Sequence, residues 1–153
     1  MSDEDAARLR AAALAALARR EHSRRDLQRK LSVRGFPAGA IACVLDELAA
    51  VRLQSDTRYA EMTIRSRAER GYGPRRIGVE LKQHGTADEL IRLAFNDVDF
   101  DWCALARQAD HKKFGTQPGD SPETRAKRRR FLEYRGFDPE HIKAVLIPKQ
   151  GLD

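Results

Sequence analysis

Apolar residues along this chain recur at intervals of three and four, the spacing of one helix face. Glycine and proline cut the pattern into short intervals, each with room for one helix. The predicted helices span 4–20, 24–34, 38–52, 57–70, 74–84, 87–97, 100–114, 122–135 and 139–147. Pro37, Pro74, Pro122 and Pro139 stand at or near a first helical position, where the missing N–H costs nothing. Gly35, Gly71, Gly85, Gly115 and Gly136 each follow a helical run, where a left-handed residue closes a helix. Ser23 with Asp26 three residues on, and Thr86 with Glu89, read as caps of the second and sixth helices.

The pattern repeats. Gly35, Gly85 and Gly136 are 50 and 51 residues apart. Four residues before them stand Leu31, Leu81 and Leu132; six after, Ile41, Ile91 and Ile142; ten after, Leu45, Phe95 and Leu146. The preceding residue is always basic: Arg34, His84, Arg135. Each copy therefore holds a leading helix and a hairpin of two more, over 1–53, 54–98 and 99–153. Such a trio buries too little apolar surface to be comfortable alone, whereas stacked neighbours share a core. The fold expected is all-α: three tandem three-helix repeats forming an elongated, curved array, in preference to a compact nine-helix bundle.

Composition agrees with helices. Val, Ile, Leu and Phe make only 33 of 153 residues, Val and Ile only 12 of them, while alanine dominates the apolar positions. Cys43 and Cys103 lie far apart, no apolar run reaches membrane-spanning length, and Arg8 and Arg10 break the Ala- and Leu-rich start, so a reduced cytoplasmic protein without a membrane is expected. Cys103, beside the single tryptophan Trp102, reads as a buried structural thiol.

Chemistry for catalysis is hard to find. His22, His84, His111 and His141 sit near helix ends without a partner pattern, HExxH and CxxC are missing, and adjacent Glu140 and His141 should point apart on a helix. Gly71-Tyr72-Gly73-Pro74 lacks the lysine and hydroxyl of a phosphate-binding loop and reads better as one helix closing and the next opening. Neither an enzyme nor a cofactor or metal site is expected.

Charge carries more information. The chain holds 29 Lys and Arg against 23 Asp and Glu, net +6, and 22 of the 29 are Arg, whose fork binds phosphates and carboxylates bidentately. The excess gathers on the middle helix of each copy: Arg24, Arg25, Arg29 and Lys30; Arg75, Arg76 and Lys82; Arg128, Arg129, Arg130 and Arg135. These faces should be solvent-exposed and meet polyanions or acidic protein. Aromatics are few, so no base-stacking platform is apparent. Tyr72, flanked by Arg75 and Arg76, is either a contact residue or packs inward over its hairpin.

The stretches Arg58-Tyr59, Arg70-Gly71-Tyr72-Gly73-Pro74-Arg75-Arg76-Ile77, Asp99-Phe100-Asp101-Trp102-Cys103-Ala104-Leu105-Ala106-Arg107, Lys113-Phe114-Gly115 and Tyr134-Arg135-Gly136-Phe137 resemble the RecX family, regulators of the RecA recombinase. The similarity runs over roughly residues 8 to 147. Members often carry Gly-Tyr-Leu and an acidic pair where this chain reads Arg52-Leu53-Gln54-Ser55-Asp56. The resemblance implies a monomeric, cofactor-free negative modulator that binds the groove of the RecA filament and inhibits ATP hydrolysis, strand exchange and coprotease activity by blocking filament growth. It also implies weak, sequence-independent binding to single- and double-stranded DNA. The other reading of the glycine-turn hairpins is a helix-turn-helix-like DNA-binding regulator, which would favour one duplex sequence.

Overall fold

A computed structural model describes residues 1–115 and 121–147. Among these residues the chain is entirely helical: α1 (Asp3–Arg19), α2 (Arg24–Val33), α3 (Ala38–Ala50), α4 (Asp56–Glu69), α5 (Pro74–Gln83), α6 (Asp88–Val98), α7 (Trp102–Phe114), α8 (Pro122–Arg135) and α9 (Pro139–Leu146). Each falls within two residues of its predicted span because the punctuation is local chemistry. All five turn glycines take positive φ, Gly136 at 92° in the left-handed well that closes α8. Ser2, Ser23, Asp101 and Ser121 each accept a hydrogen bond from the backbone N–H three residues on.

Two expected caps differ. Ser23 caps α2, but the Asp26 carboxylate turns to the His84 ring rather than back to Ser23. Thr86 caps nothing: α6 opens at Asp88, the Thr86 hydroxyl is buried without a partner, and Glu89 pairs with Arg92 at 2.6 Å.

The chain divides into two compact units. In the first, residues 1–62 and 81–97, α1, α2 and α3 pack around Leu9, Ala13, Leu27, Leu31, Ile41, Leu45 and Leu48. In the second, residues 63–80 and the described residues after 97, α7, α8 and α9 pack around Ala106, Leu132, Phe137, Ile142 and Leu146. Alanines at the contact faces of α1 and α7 keep these cores thin, as the composition requires. Leu31, Leu81 and Leu132 are all buried to within 1% of complete, so the repeat register is a register of burial. Ile91 and Phe95 of the middle copy are only partly buried where their counterparts are buried.

Each unit contains one joint between consecutive copies, and the two joints correspond position by position. In the first, the Ser23 hydroxyl donates to the carbonyl of His84 (2.8 Å), the Asp26 carboxylate meets His84 Nδ1 at 2.7 Å, and the Arg25 stem lies against Gly85. In the second, the Gly73 N–H donates to the carbonyl of Arg135 (2.7 Å) and the Arg75 N–H to that of Gly136 (2.9 Å). Residues 23 and 73 are equivalent in the repeat, as are 84 and 135. The residue preceding a middle helix thus bonds the carbonyl just before the next copy's turn glycine. Gly73 must be glycine, since an added Cβ would fall 2.5 Å from the Gly136 backbone.

Candidate functional site

The basic residues of the middle helices do not form uniform faces. On α2, Arg24 is ion-paired with Asp46 at 2.8 Å while its N–H donates to the Asp56 carboxylate, and Arg25 is exposed beyond its contact with Gly85. Arg29 and Lys30 are exposed and, among the described residues, not ion-paired. On α5, Arg75 donates to Asp138 at 2.9 Å, and Lys82 stands 3.7 Å from Asp88 with both side chains exposed.

On α8 the expectation of an exposed basic face fails at Arg128. Its guanidinium grips Asp110 of α7 through two hydrogen bonds of 2.9 and 2.8 Å, with side-chain exposures of 15% and 10%. Arg128 lies four residues before buried Leu132 and therefore on the core side of α8, while Asp110 continues the buried stripe of Ala106 and Ala109 on α7. Of Arg128, Arg129, Arg130 and Arg135, Arg129 and Arg130 are exposed.

Tyr72, Arg76 and Arg135 come together in an arrangement the sequence did not announce. The Arg76 guanidinium carbon lies 4.5 Å from the Tyr72 ring centroid and 4.9 Å from that of Tyr134. The Arg135 carbon lies 4.9 Å from Tyr72 and 5.0 Å from Phe131. The order Tyr134, Arg76, Tyr72, Arg135, Phe131 is a ladder in which cations and rings alternate. Two further bonds fix it: Arg76 donates to the carbonyl of Tyr134 (3.3 Å) and Arg135 to that of Arg70 (3.1 Å). Tyr72 is half-buried within the ladder, so it both packs and presents a polarised ring. A cavity of about 300 Å³ opens at the Phe131 end, walled by Leu105, Ala109 and Phe131, with Glu69 as well as Lys112, Lys113 and Arg135 among its polar lining.

Other residues depart from their sequence reading. Cys103 is partly exposed rather than buried, and Cys43 is exposed; both are free. The histidines do find partners: His84 meets Asp26, and His141 Nδ1 accepts from the Asp138 N–H. His22 is buried, its Nδ1 against the Arg20 carbonyl, and burial lowers its pKa below the usual 6.5. Asp138, Glu140 and His141 bring ligand atoms within 4.8 Å of one another, closer than their adjacency suggested, but Arg75 already holds the Asp138 carboxylate. No helix of the described residues is long and apolar enough to cross a membrane.

Three family models match consecutive stretches: the RecX first three-helix domain over residues 10–48, the second over 55–94 and the third over 101–146. The chain belongs to the RecX family. It is 44% identical over 138 residues to the regulatory protein RecX of Halorhodospira halophila, covering 90% of this chain and 85% of that one. It is 43% identical over 145 residues to RecX of Pseudomonas entomophila, covering 95% and 94%. The crystal structure of RecX from Lactobacillus salivarius superposes with a TM-score of 0.77 at 20% identity, covering 95% of this chain and 96% of that one. The fold of three three-helix domains and a RecX-type regulatory role follow.

Proposed function

We propose that this RecX-family chain is a negative modulator of the RecA recombinase. It binds the groove of the RecA–DNA filament and, by blocking filament growth, inhibits ATP hydrolysis, strand exchange and coprotease activity. The observation that carries this reading is membership in a family of RecX regulators across all three domains, joined to exposed cationic residues on a middle helix of each copy. An RecA–DNA filament offers both phosphates and acidic protein side chains to such residues. Arg25, Arg29, Lys30, Lys82, Arg129 and Arg130, with their side chains open to solvent, are the candidate contacts; Arg24, Arg75 and Arg128 chiefly hold the scaffold through their ion pairs. Tyr72, Arg76 and Arg135 contribute through the ladder.

The protein acts in the cytoplasm as a monomer without cofactor or catalysis, and its own affinity for single- and double-stranded DNA is weak and indifferent to sequence. The test is charge reversal that spares the scaffold. Arg29→Glu with Lys30→Glu, and Arg129→Glu with Arg130→Glu, should weaken binding to RecA filaments in a pull-down while leaving the helical circular dichroism unchanged. Parent-like binding by both pairs would remove these residues from the interface. Strong preference for one duplex sequence would instead favour a helix-turn-helix regulator.

A further inference from the structure

We infer that Tyr134 is a stacking platform for an unpaired nucleobase, flanked by cations that hold the backbone phosphates of a single strand. The residue is 72% exposed, exceptional for an aromatic among the described residues. It is not loose: the Arg76 guanidinium packs on it at 4.9 Å and donates to its carbonyl, and Arg76 packs in turn on Tyr72, whose ring also meets Arg135. A ring fixed in this way loses little conformational freedom when a second flat group covers it.

The surroundings have the charge a nucleic-acid backbone needs. Lys127, Arg130 and Tyr134 stand at i, i+3 and i+7, one exposed face of α8 covering about 10 Å of helix axis. Among the described residues neither Lys127 nor Arg130 is ion-paired. Charge complementarity therefore selects a phosphodiester strand, and the exposed ring selects one whose bases are free to leave a stack. Duplex DNA supplies the phosphates without the free base. This deepens the proposed function on its nucleic-acid side and does not require contact with RecA.

The experiment measures anisotropy of a fluorescein-labelled twenty-nucleotide thymidine strand and of an abasic strand of equal length, at low salt. Base–aromatic stacking predicts that Tyr134→Ala weakens binding to the thymidine strand about tenfold. Tyr134→Phe, which keeps the ring face, should stay near the parent, and on the abasic strand all three proteins should bind alike. Lys127→Ala with Arg130→Ala should weaken binding to both strands. The exposed position leaves the helical circular dichroism and thermal transition of Tyr134→Ala at parent values, so a loss of binding is not a loss of fold. Unchanged affinity of Tyr134→Ala for the thymidine strand, an equal loss on the abasic strand, or no binding by the parent would each overturn the inference. If Tyr134→Ala loses inhibition of RecA yet binds the thymidine strand like the parent, the ring is a protein contact; the stacking site falls while the proposed function stands.

Discussion

Replacing Arg128 by methionine should destabilise the protein by about 3 kcal/mol. Methionine keeps much of the stem's volume, so the change isolates the guanidinium. Its removal leaves the Asp110 carboxylate, 10% exposed, without the cation that satisfies both its oxygens. Two charge-assisted hydrogen bonds at about 1.5–3 kcal/mol each set an upper range, and breaking a buried pair costs about 3–5 kcal/mol. The residual exposure of both partners places the expected value at the lower end. The double variant Arg128→Met, Asp110→Leu removes both charges and should recover to within about 1 kcal/mol of the parent; since Asp110→Leu alone also strands a charge, the coupling in the cycle should exceed about 2 kcal/mol. Urea unfolding followed by circular dichroism measures all four proteins. Arg129→Glu with Arg130→Glu, on the exposed side of the same helix, is the control and should change stability by less than about 0.5 kcal/mol. A loss below about 1 kcal/mol for Arg128→Met, or no recovery in the double variant, would refute the assignment of Arg128 to the scaffold.

Three further outcomes follow from the backbone and from one buried ring. Gly73→Ala should cost about 1–3 kcal/mol, because its Cβ meets the Gly136 backbone, whereas Gly39→Ala, with open space around it, should be neutral or stabilising by up to about 1 kcal/mol in thermal unfolding. Arg52 holds φ 61°, a left-handed conformation that glycine adopts without a Cβ penalty, so Arg52→Gly should stabilise by about 1 kcal/mol; a loss of stability in urea would count against left-handed strain there. Burial lowers the His22 pKa in the folded state, so on acidification the unfolded chain takes up the proton first. Stability should therefore fall as pH drops below about 6.5, with a shallower slope in His22→Gln when melting temperature is followed between pH 7.5 and 5.

The helices and their register were legible in the sequence because their signals are local or periodic: glycine at the left-handed closes, proline at the openings, leucine four residues before each turn. Gly73 was not, since what forbids a side chain there is the backbone of residue 136, some sixty positions away. The same holds for Asp26 and His84, read respectively as a cap residue and a histidine without a partner. Arg128 was misplaced by composition: a run of four basic residues suggests one exposed face, but a helix turns 100° per residue and cannot present all four the same way. Its spacing from Leu132, together with Asp110 on the apolar stripe of α7, held the signal for a buried pair. The ladder of Tyr134, Arg76, Tyr72, Arg135 and Phe131 could not be read in advance, because it interleaves residues of α8 with Arg76 of α5 and Tyr72 of the turn before it, which only the second joint brings together. Family resemblance rested on motifs near these joints, which is why it named the regulator more readily than it located its contacts.

The most direct test of the account is RecA-catalysed ATP hydrolysis on single-stranded DNA, measured with and without substoichiometric amounts of this protein. A modulator that stops filament growth should lower the steady-state rate at well below one molecule per RecA protomer, and Arg129→Glu with Arg130→Glu should restore part of it. An unchanged rate up to equimolar protein, with RecA and DNA both competent, would contradict the proposed function.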